Sequence, residues 1–367
     1  MKNKKVDKFF LIIVLILIFG GVAMFVSASL GILAKNKDTF YSVLFSQLVL
    51  GLGCGLVGMY TALKINYKIW RNYAFYIFIA SIILMTFVFI PHVGWSHGGA
   101  TRWIKIGPVS FQPAEILKFS FIIYFSAFLS WSKDKIKSFK YGILPLLGML
   151  AVIAVVLLKQ PDTKSFILIT FTGICMYFIS GGPWKYIAGI GAICVVVFGT
   201  LIFFTPYLQQ RVNTFLDPSH DPKGSSYQIQ QSMIALGSGG IFGRGYGQSI
   251  QKFSYLPEPQ GDSIFAVLGE ELGFLGAVIT IFLYCAFALR GIRIANNSPD
   301  SFGRLLVSGI VILMTAQSFM NIASIVGVFP LTGVPLVFMS HGGTSLMIYM
   351  TAIGIVLNIS KFQKFLV

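Results

Sequence analysis

Residues 256–276 read LPEPQGDSIFAVLGEELGFLG, and within this stretch a polar loop turns into an apolar helix. Asp262 stands at the junction, behind two prolines and a glycine. The rise of a helix would place Glu270 and Glu271 about 12 Å farther along the axis. Carboxylates inside an apolar helix are costly and usually face a bundle interior or a water-filled cavity. The stretch therefore predicts one carboxylate at a membrane surface and two beneath it.

Each of these acids also has a purely structural interpretation. An Asp directly before an apolar run is an ordinary helix N-cap. Glu270 and Glu271 would point about 100° apart around a helix, so each could bind a different neighbouring helix. Gly269 and Gly273 form a small-xxx-small pair, which indicates close packing against another helix. On these residues alone, the structural and the chemical interpretations both stay open.

The composition is that of a polytopic membrane protein. Of the 367 residues, 56% are hydrophobic and 11% are charged, and the mean hydropathy is +0.80. No soluble domain needs so much apolar surface. The net charge of +16 is spread over short segments between apolar runs, which indicates topology rather than nucleic acid binding. The four cysteines lie in apolar runs without metal-ligand spacing, so we expect free thiols and no metal site.

About ten apolar runs are long enough to span a bilayer. The predicted fold class is therefore an all-α polytopic membrane protein, with residues 1–367 as one integral-membrane domain. Most of the 28 Lys and Arg residues fall on one side if both termini are cytoplasmic. One long extracytoplasmic loop, about residues 206–261, would then join spans 7 and 8. The predicted spans are residues 9–27, 40–62, 73–91, 114–131, 143–158, 166–181, 187–205, 263–289, 305–323 and 344–359.

Polar and ionisable side chains concentrate in the predicted outer segments and are candidates for a substrate site. Arg102 and Lys105 stand beside a Trp, where such residues commonly anchor a protein at the interface, but they could also bind phosphate. Glu115 and Lys118 are three residues apart on a starting helix and suit an ion pair. Asp162 suits a turn. The other candidates are Gln112, Arg211, Gln231, Ser232, Glu258, Ser340 and Thr344.

The last predicted outer segment, residues 326–346, reads VGVFPLTGVPLVFMSHGGTSL. Its prolines and glycines would break helical structure at membrane depth. Such backbone persists only where protein or a cavity shields it. Ser340, His341 and Thr344 could then face that cavity.

Five motifs occur in a fixed order along the chain and together resemble the SEDS family of bacterial envelope proteins, which serve shape, elongation, division and sporulation. The resemblance covers essentially the whole chain and is strongest to the FtsW and SpoVE branch. The motifs are GATRWIKIGPVSFQPAEILK, QPD, YQIQQSMIALGSGGIFGRGYGQS, QKFSYLPEPQGDSIFAVLGEELG and FPLTGVPLVFMSHGGTSL.

The resemblance implies a peptidoglycan glycosyltransferase of the bacterial cytoplasmic membrane. Such a protein polymerises lipid II, an undecaprenyl-linked disaccharide-pentapeptide, at the outer face. It works with a class B penicillin-binding protein and, in an FtsW-like role, with other divisome proteins of cell division. Asp262 falls on the position held to be catalytic in the family. No cofactor is required, although a divalent cation such as Mg or Mn could assist departure of the diphosphate.

The sequence departs from the family pattern in three places. Gln-Gly-Asp at residues 260–262 stands where His-Thr-Asp is common. Thr-Lys-Ser at residues 163–165 follows QPD where Leu-Gly-Thr is common. His341 replaces the Tyr of a common Ser-Tyr-Gly-Gly. Because Asp262 is retained, the prediction of activity stands.

The predicted mechanism uses Asp262 as a general base for the acceptor sugar hydroxyl. Cations should stabilise the departing diphosphate, and the candidates in falling order are Arg102, Lys105, Lys118 and Arg211. Two other classes of function stay open. One is a flippase for a lipid-linked precursor. The other is a catalytically silent scaffold that activates a class B penicillin-binding protein.

Overall fold

The computed structural model describes residues 5–97, 100–106, 109–217 and 225–363, and most of them are helical. Within these ranges, nine helical segments are long and apolar enough to cross a membrane, and Thr163–Ile179 is a shorter apolar helix. All ten predicted spans coincide with one of these helical segments. The fold class is therefore confirmed, whereas the number of spans and the side on which each loop lies stay predictions.

Fourteen α-helices follow one another in the described ranges. In two places a π-helical segment, Ser46–Gly53 or Phe139–Ile143, continues into the next α-helix and lengthens a span. The α-helices are α1 (Lys8–Leu33), α2 (Lys37–Phe45), α3 (Cys54–Lys64), α4 (Lys68–Thr86), α5 (Pro113–Trp131), α6 (Leu144–Lys159), α7 (Thr163–Ile179), α8 (Trp184–Phe204), α9 (Pro206–Leu216), α10 (Ser225–Ser238), α11 (Gln251–Ser254), α12 (Ile264–Asn296), α13 (Ser301–Ile325) and α14 (Gly343–Ser360).

Helices α5, α13 and α14 form the centre of the bundle, and most of their side chains are buried. By contrast, almost none of the most apolar part of α8 is buried, as expected of a helix that faces lipid. Close packing in the centre depends on small residues. A Cβ added at Gly354 of α14 would collide with the Met59 carbonyl oxygen of α3.

A small antiparallel sheet, which was not predicted, occupies the segment between α4 and α5. Its strands are β1 (Gly94–His97), β2 (Ala100–Ile106) and β3 (Val109–Phe111), in the order β1-β2-β3. Ile104 of the central strand pairs with Gly94 on one side and Phe111 on the other. Strands this short carry no alternating pattern long enough to distinguish them from a loop. They are stabilised by pairing with each other, which the sequence of a single strand does not show. The sheet matters for function because β2 carries Arg102.

The segment predicted as a long loop, about residues 206–261, contains α9, α10 and α11. Part of it inserts into a break in α12 at Gly273, whose φ is +70°. The backbone N–H groups of Phe274 and Leu275 donate to the Gly240 and Ile241 carbonyls at 2.8 and 3.1 Å. The loop thus provides the hydrogen bonds that the broken helix lacks, which is what an apolar environment requires.

Candidate functional site

A cavity of about 570 Å³, here called the Asp262 cavity, lies where α8 meets five other parts of the chain. These parts are β2, the start of α7, helix α9, the loop before α12 and the broken segment between α13 and α14. Apolar side chains of α7 and α8 form one wall. The charged residues of the lining are Arg102, Lys164, Arg211, Glu258 and Asp262.

Asp262 is half-buried beside this cavity. Helix α12 begins at Ile264 with Ser263 as its N-cap residue and without a side-chain capping bond. The N-cap interpretation of Asp262 is therefore wrong. Within the described ranges no group donates a hydrogen bond to the Asp262 carboxylate. Its oxygens remain available to a ligand.

The backbone around Asp262 is tied to the broken segment after α13. Asn321 donates through Nδ2 to the carbonyls of Asp262 at 2.8 Å and Val334 at 2.7 Å. The Ser340 hydroxyl donates to the Gly261 carbonyl at 2.7 Å and accepts from a backbone N–H. Ser340, predicted to bind substrate, therefore fixes the loop instead. The position of Asp262 is set by two independent attachments.

Three charged side chains converge on the space left open by Gly333, whose φ is +65°. A Cβ added there would lie 3.0 Å from Asp262 Oδ2, 3.6 Å from Arg211 Nη2 and 3.8 Å from Lys164 Nζ. The Lys164 ammonium donates to the Gly333 carbonyl. The Arg211 guanidinium stacks over the Tyr207 ring at 4.4 Å. Burial lowers the pKa of Arg211, and the Asp262 carboxylate counteracts that shift.

Arg102 lines the cavity, but its side chain already has backbone partners. Its Nε donates to the Gln160 carbonyl at 3.1 Å, and its Nη2 donates to the Pro161 carbonyl. Arg102 therefore fastens β2 to the turn before α7. Three of its five N–H donors remain for an anion.

Three predicted ligands lie away from the cavity. Lys105 places its ammonium over the Trp95 ring at 5.4 Å, as expected of an interfacial anchor. The predicted ion pair between Glu115 and Lys118 is confirmed at 2.8 Å, but both side chains are buried in the bundle. Lys118 also donates to Gln317, and the pair does not reach the cavity. A direct phosphate contact by Lys118 is therefore wrong for this structure, because its charge is neutralised in the interior.

Five further candidates, Gln112 among them, do not line the cavity. Asp162 is fully buried and caps α7, accepting from the Ser165 hydroxyl at 2.8 Å and from Gln112 Nε2 at 3.1 Å. Ser232 in α10 donates back to a carbonyl of its own helix. The last two candidates, Gln231 and Thr344, lie in α10 and at the start of α14 and do not line the cavity.

The two glutamates of α12 are structural, as one of the interpretations held. Glu271 pairs with Lys252 at 2.7 Å, and both side chains are fully buried. Glu271 also accepts from the Ser27 hydroxyl at 2.7 Å. Glu270 accepts from the Ser249 hydroxyl and from backbone N–H groups near α11. Together these bonds attach the loop that leads to Asp262 to helix α12.

The model of the FtsW/RodA/SpoVE family, described as cell cycle proteins, matches residues 7–365. The chain belongs to this family. It is 37% identical to stage V sporulation protein E of Bacillus subtilis (strain 168) over 99% of each chain. It is 38% identical to a probable peptidoglycan glycosyltransferase FtsW of Geobacter sp. (strain M18), covering 98% of this chain and 97% of that protein. Membership and the apolar helices make it a multi-pass protein of the cytoplasmic membrane.

Solved structures show the same fold. One comes from a study of the structural coordination of polymerization and crosslinking by a peptidoglycan synthase complex. It superposes with a TM-score of 0.76 at 27% identity, covering 95% of this chain and 98% of its own. The Thermus thermophilus rod shape determining protein RodA superposes with a TM-score of 0.72 at 24% identity, covering 98% of each chain. The described helices therefore have the arrangement of this family.

Sequence reasoning missed Lys164 as a member of the cavity, whereas it expected His341 to face a cavity. The signal for Lys164 was its presence where the family commonly has Gly, directly after QPD. His341 lines the cavity and stacks on Phe25 at 5.8 Å. Burial lowers the pKa of His341 to about 4, so its ring is neutral at pH 7.

No three His, Cys, Asp or Glu side chains come close enough to hold a metal ion anywhere in the described part of the chain. A divalent cation that arrives with the diphosphate of a substrate stays a prediction.

Proposed function

We propose that this protein is a peptidoglycan glycosyltransferase that polymerises lipid II at the outer face of the cytoplasmic membrane. The observation that carries the proposal is the Asp262 carboxylate. It faces a cavity opposite Arg211 and Lys164 and is engaged by no donor within the described ranges. Relatives that match nearly the full chain carry the name peptidoglycan glycosyltransferase. Base and cations are the two groups that the transfer of a sugar from a diphosphate requires.

In the proposed reaction, the hydroxyl oxygen of the acceptor sugar forms a bond to the anomeric carbon of the donor. The bond between that carbon and the diphosphate oxygen breaks, and the diphosphate leaves with the electron pair. The hydroxyl proton passes to Asp262. A positioned general base typically contributes about 10²- to 10⁴-fold to the rate. Cations that are already in place stabilise the negative charge that develops on the leaving group.

The rigid attachment of the Asp262 loop supports this role. Catalysis requires the base to be held near its working position before substrate binds. Asn321 and Ser340 hold the loop through the backbone and leave the Asp262 carboxylate uncovered. Substitution of either side chain should therefore reduce the rate without removing any group that contacts the reacting atoms.

A second cavity supports a reaction between two lipid-linked molecules. It has a volume of about 400 Å³ and is lined by Lys35, Tyr227 and Gln260, among others. Glu258 lines both cavities, so the two are neighbours at the loop that carries it. A polymerase must hold a donor and an acceptor at once, and the proposal assigns one cavity to each.

The proposed partner is a class B penicillin-binding protein, which would cross-link the new strands, with other divisome proteins if the role is in division. The structural neighbour from a peptidoglycan synthase complex, in which polymerization and crosslinking are coordinated, supports a partner of this kind.

The observations do not favour a flippase. Transport through the bundle would use ionisable groups that can be reached from both faces in turn. The buried acids Glu115, Glu270 and Glu271 are already engaged by cations or other donors. The acid within the described ranges that faces a cavity without a donor is Asp262, near one end of α12.

The test uses the purified protein with labelled lipid II, with and without its transpeptidase partner. We expect long glycan chains, and we expect Asp262→Asn to form them at least about 100-fold more slowly. Translocation of lipid II across a vesicle membrane without polymer would support the flippase. Neither activity, together with stimulation of the partner's cross-linking, would support the scaffold. Full polymerisation by Asp262→Asn would remove the assignment of the base.

A further inference from the structure

Lys164 is a cation of the Asp262 cavity that the family pattern does not supply. It is the second residue of α7 and is half-buried. An ammonium group has three N–H donors. Within the described ranges the acceptor shown for it is the Gly333 carbonyl. Two donors are left for a ligand in the cavity.

The three cations of the cavity differ in the partners that each already has and in how near each lies to Gly333. Arg102 donates through Nε and Nη2 to backbone carbonyls. Arg211 stacks on a ring with one face, which leaves the edge of its guanidinium toward Gly333. Lys164 approaches the same space from α7, and the Asp262 carboxylate borders that space as well. Arg211 and Lys164 are therefore better placed than Arg102 to hold one anion together.

We propose that Lys164, together with Arg211, binds the diphosphate of the lipid-linked substrate. The inference rests on the proposed function and names the leaving-group ligand of that same site. When Asp262 takes the hydroxyl proton, it loses its negative charge. Arg211 and Lys164 are then left without their anion at the moment when the diphosphate leaves with its electron pair. Proton transfer and leaving-group stabilisation are thereby coupled through one cluster.

A purely structural role is the rival account of Lys164. In that account its ammonium only holds the Gly333 carbonyl and so maintains the broken segment. The two accounts differ in what they say about ligands. A Lys164 that only holds the backbone, here called a tether, would affect the binding of all ligands alike. A Lys164 that binds the diphosphate would contribute most to ligands that carry the second phosphate.

The experiment measures binding of undecaprenyl diphosphate and undecaprenyl monophosphate to purified protein in detergent. We expect Lys164→Met to weaken binding of the diphosphate by about 10-fold or more and to reduce the preference for diphosphate over monophosphate. Lys164→Arg should keep most of that preference. Lys185→Met is the matched control, because Lys185 is an exposed lysine that is also the second residue of its helix, α8, and lies over the Tyr186 ring. It should bind both lipids as the wild type does.

Equal weakening for both lipids in Lys164→Met would support the tether and overturn the proposal, as would unchanged binding. If Lys164→Met does not fold, the family-like Lys164→Gly and the charge-preserving Lys164→Arg give the same comparison. The proposed function and the inference about Lys164 can be contradicted separately. A wild type that binds the diphosphate selectively but makes no polymer would contradict the proposed function alone. A polymerising wild type with Lys164→Met unchanged in KM and kcat would contradict this inference alone.

Discussion

Asp262 and Glu271 lie in the same short stretch of chain, but their surroundings are opposite. The Asp262 carboxylate borders a cavity and has no donor within the described ranges, while cations stand near it without touching it. Glu271 is fully buried and accepts from Lys252, Ser27 and the backbone of Gly247. In a membrane protein, depth therefore does not decide what an acid does. What decides is whether the protein already neutralises its charge.

The difference has an energetic reason. A buried carboxylate is tolerated when a cation and several hydrogen bonds replace its hydration, and removing one partner of such a pair typically costs about 3–5 kcal/mol. A carboxylate at a watery cavity keeps part of its hydration and needs no partner. The Asp262 oxygens thus remain available to a ligand, whereas those of Glu271 are already engaged by Lys252, Ser27 and backbone N–H groups. The two positions allow the comparison to be tested by matched substitutions.

The largest expected contrast is between Asp262→Asn and Glu271→Gln, which remove the same charge with little change of shape. Asp262→Asn should lower polymerisation at least about 100-fold and leave the melting temperature unchanged. Glu271→Gln leaves the Lys252 ammonium buried without a counter-ion, so we expect a loss of about 3–5 kcal/mol in stability. Thermal melts and lipid II assays on both proteins measure this. A wild-type melting temperature for Glu271→Gln would break the comparison.

Removing both charges at once should be milder than removing one. Lys252→Met combined with Glu271→Met replaces the buried pair with apolar side chains, which is often close to neutral. We expect the double variant to melt higher than Lys252→Met alone, so the two effects are not additive. Losses that simply add would mean that the pair is not the unit that fixes the loop.

A smaller effect is expected at Gly333, where the Asp262 cluster depends on a missing side chain. Gly333→Ala puts a methyl group 3.0 Å from Asp262 Oδ2 at a φ of +65°. The backbone strain should cost about 1–2 kcal/mol, and displacement of the carboxylate should slow polymerisation about 10-fold or more. Gly189→Ala in α8 is the control, because a Cβ there meets nothing within 4 Å. Equal activity of the two variants would contradict the convergence at Gly333.

A fourth expected effect is a pH dependence that comes from His341. Burial holds its pKa at about 4 in the folded protein, against 6.5 ordinarily, so the unfolded chain binds the proton more readily. Stability should therefore fall as the pH drops from about 6.5 to about 4 and level off below that. His341→Tyr should flatten this part of the curve in melting experiments at a series of pH values. An identical decline in both proteins would assign it to other groups.

Much of the fold follows from local sequence. Hydropathy located all ten apolar helices, because burial in lipid leaves a signal in every residue of a span. The ion pair of Glu115 and Lys118 was predictable for the same reason, since its two members are neighbours on one helix. The break in α12 was not predicted, because Gly273 is accommodated by hydrogen bonds from a distant loop.

The site was predictable only in part. Four of the predicted site residues stand in polar motifs beside apolar runs and line the cavity, and their roles stay predictions: Arg102, Arg211, Glu258 and Asp262. The role of Lys164 depends on Gly333, which is far away in sequence and adjacent only after folding. The backbone contacts of Ser340 were not predicted, because a hydroxyl that fixes the backbone and one that binds substrate look alike in a sequence. Contacts between distant segments are what local patterns cannot show.

Labelling of single cysteines with a membrane-impermeant maleimide, added outside spheroplasts, tests the central contrast most directly. The four native cysteines, Cys54, Cys175, Cys194 and Cys285, are first replaced by serine. We predict that Asp262→Cys is labelled and is protected by added lipid II, whereas Glu271→Cys in the folded protein is not labelled. Labelling of Asp262→Cys only after the cytoplasmic side is opened, or equal labelling at both positions, would contradict an outward-facing cavity served by Asp262.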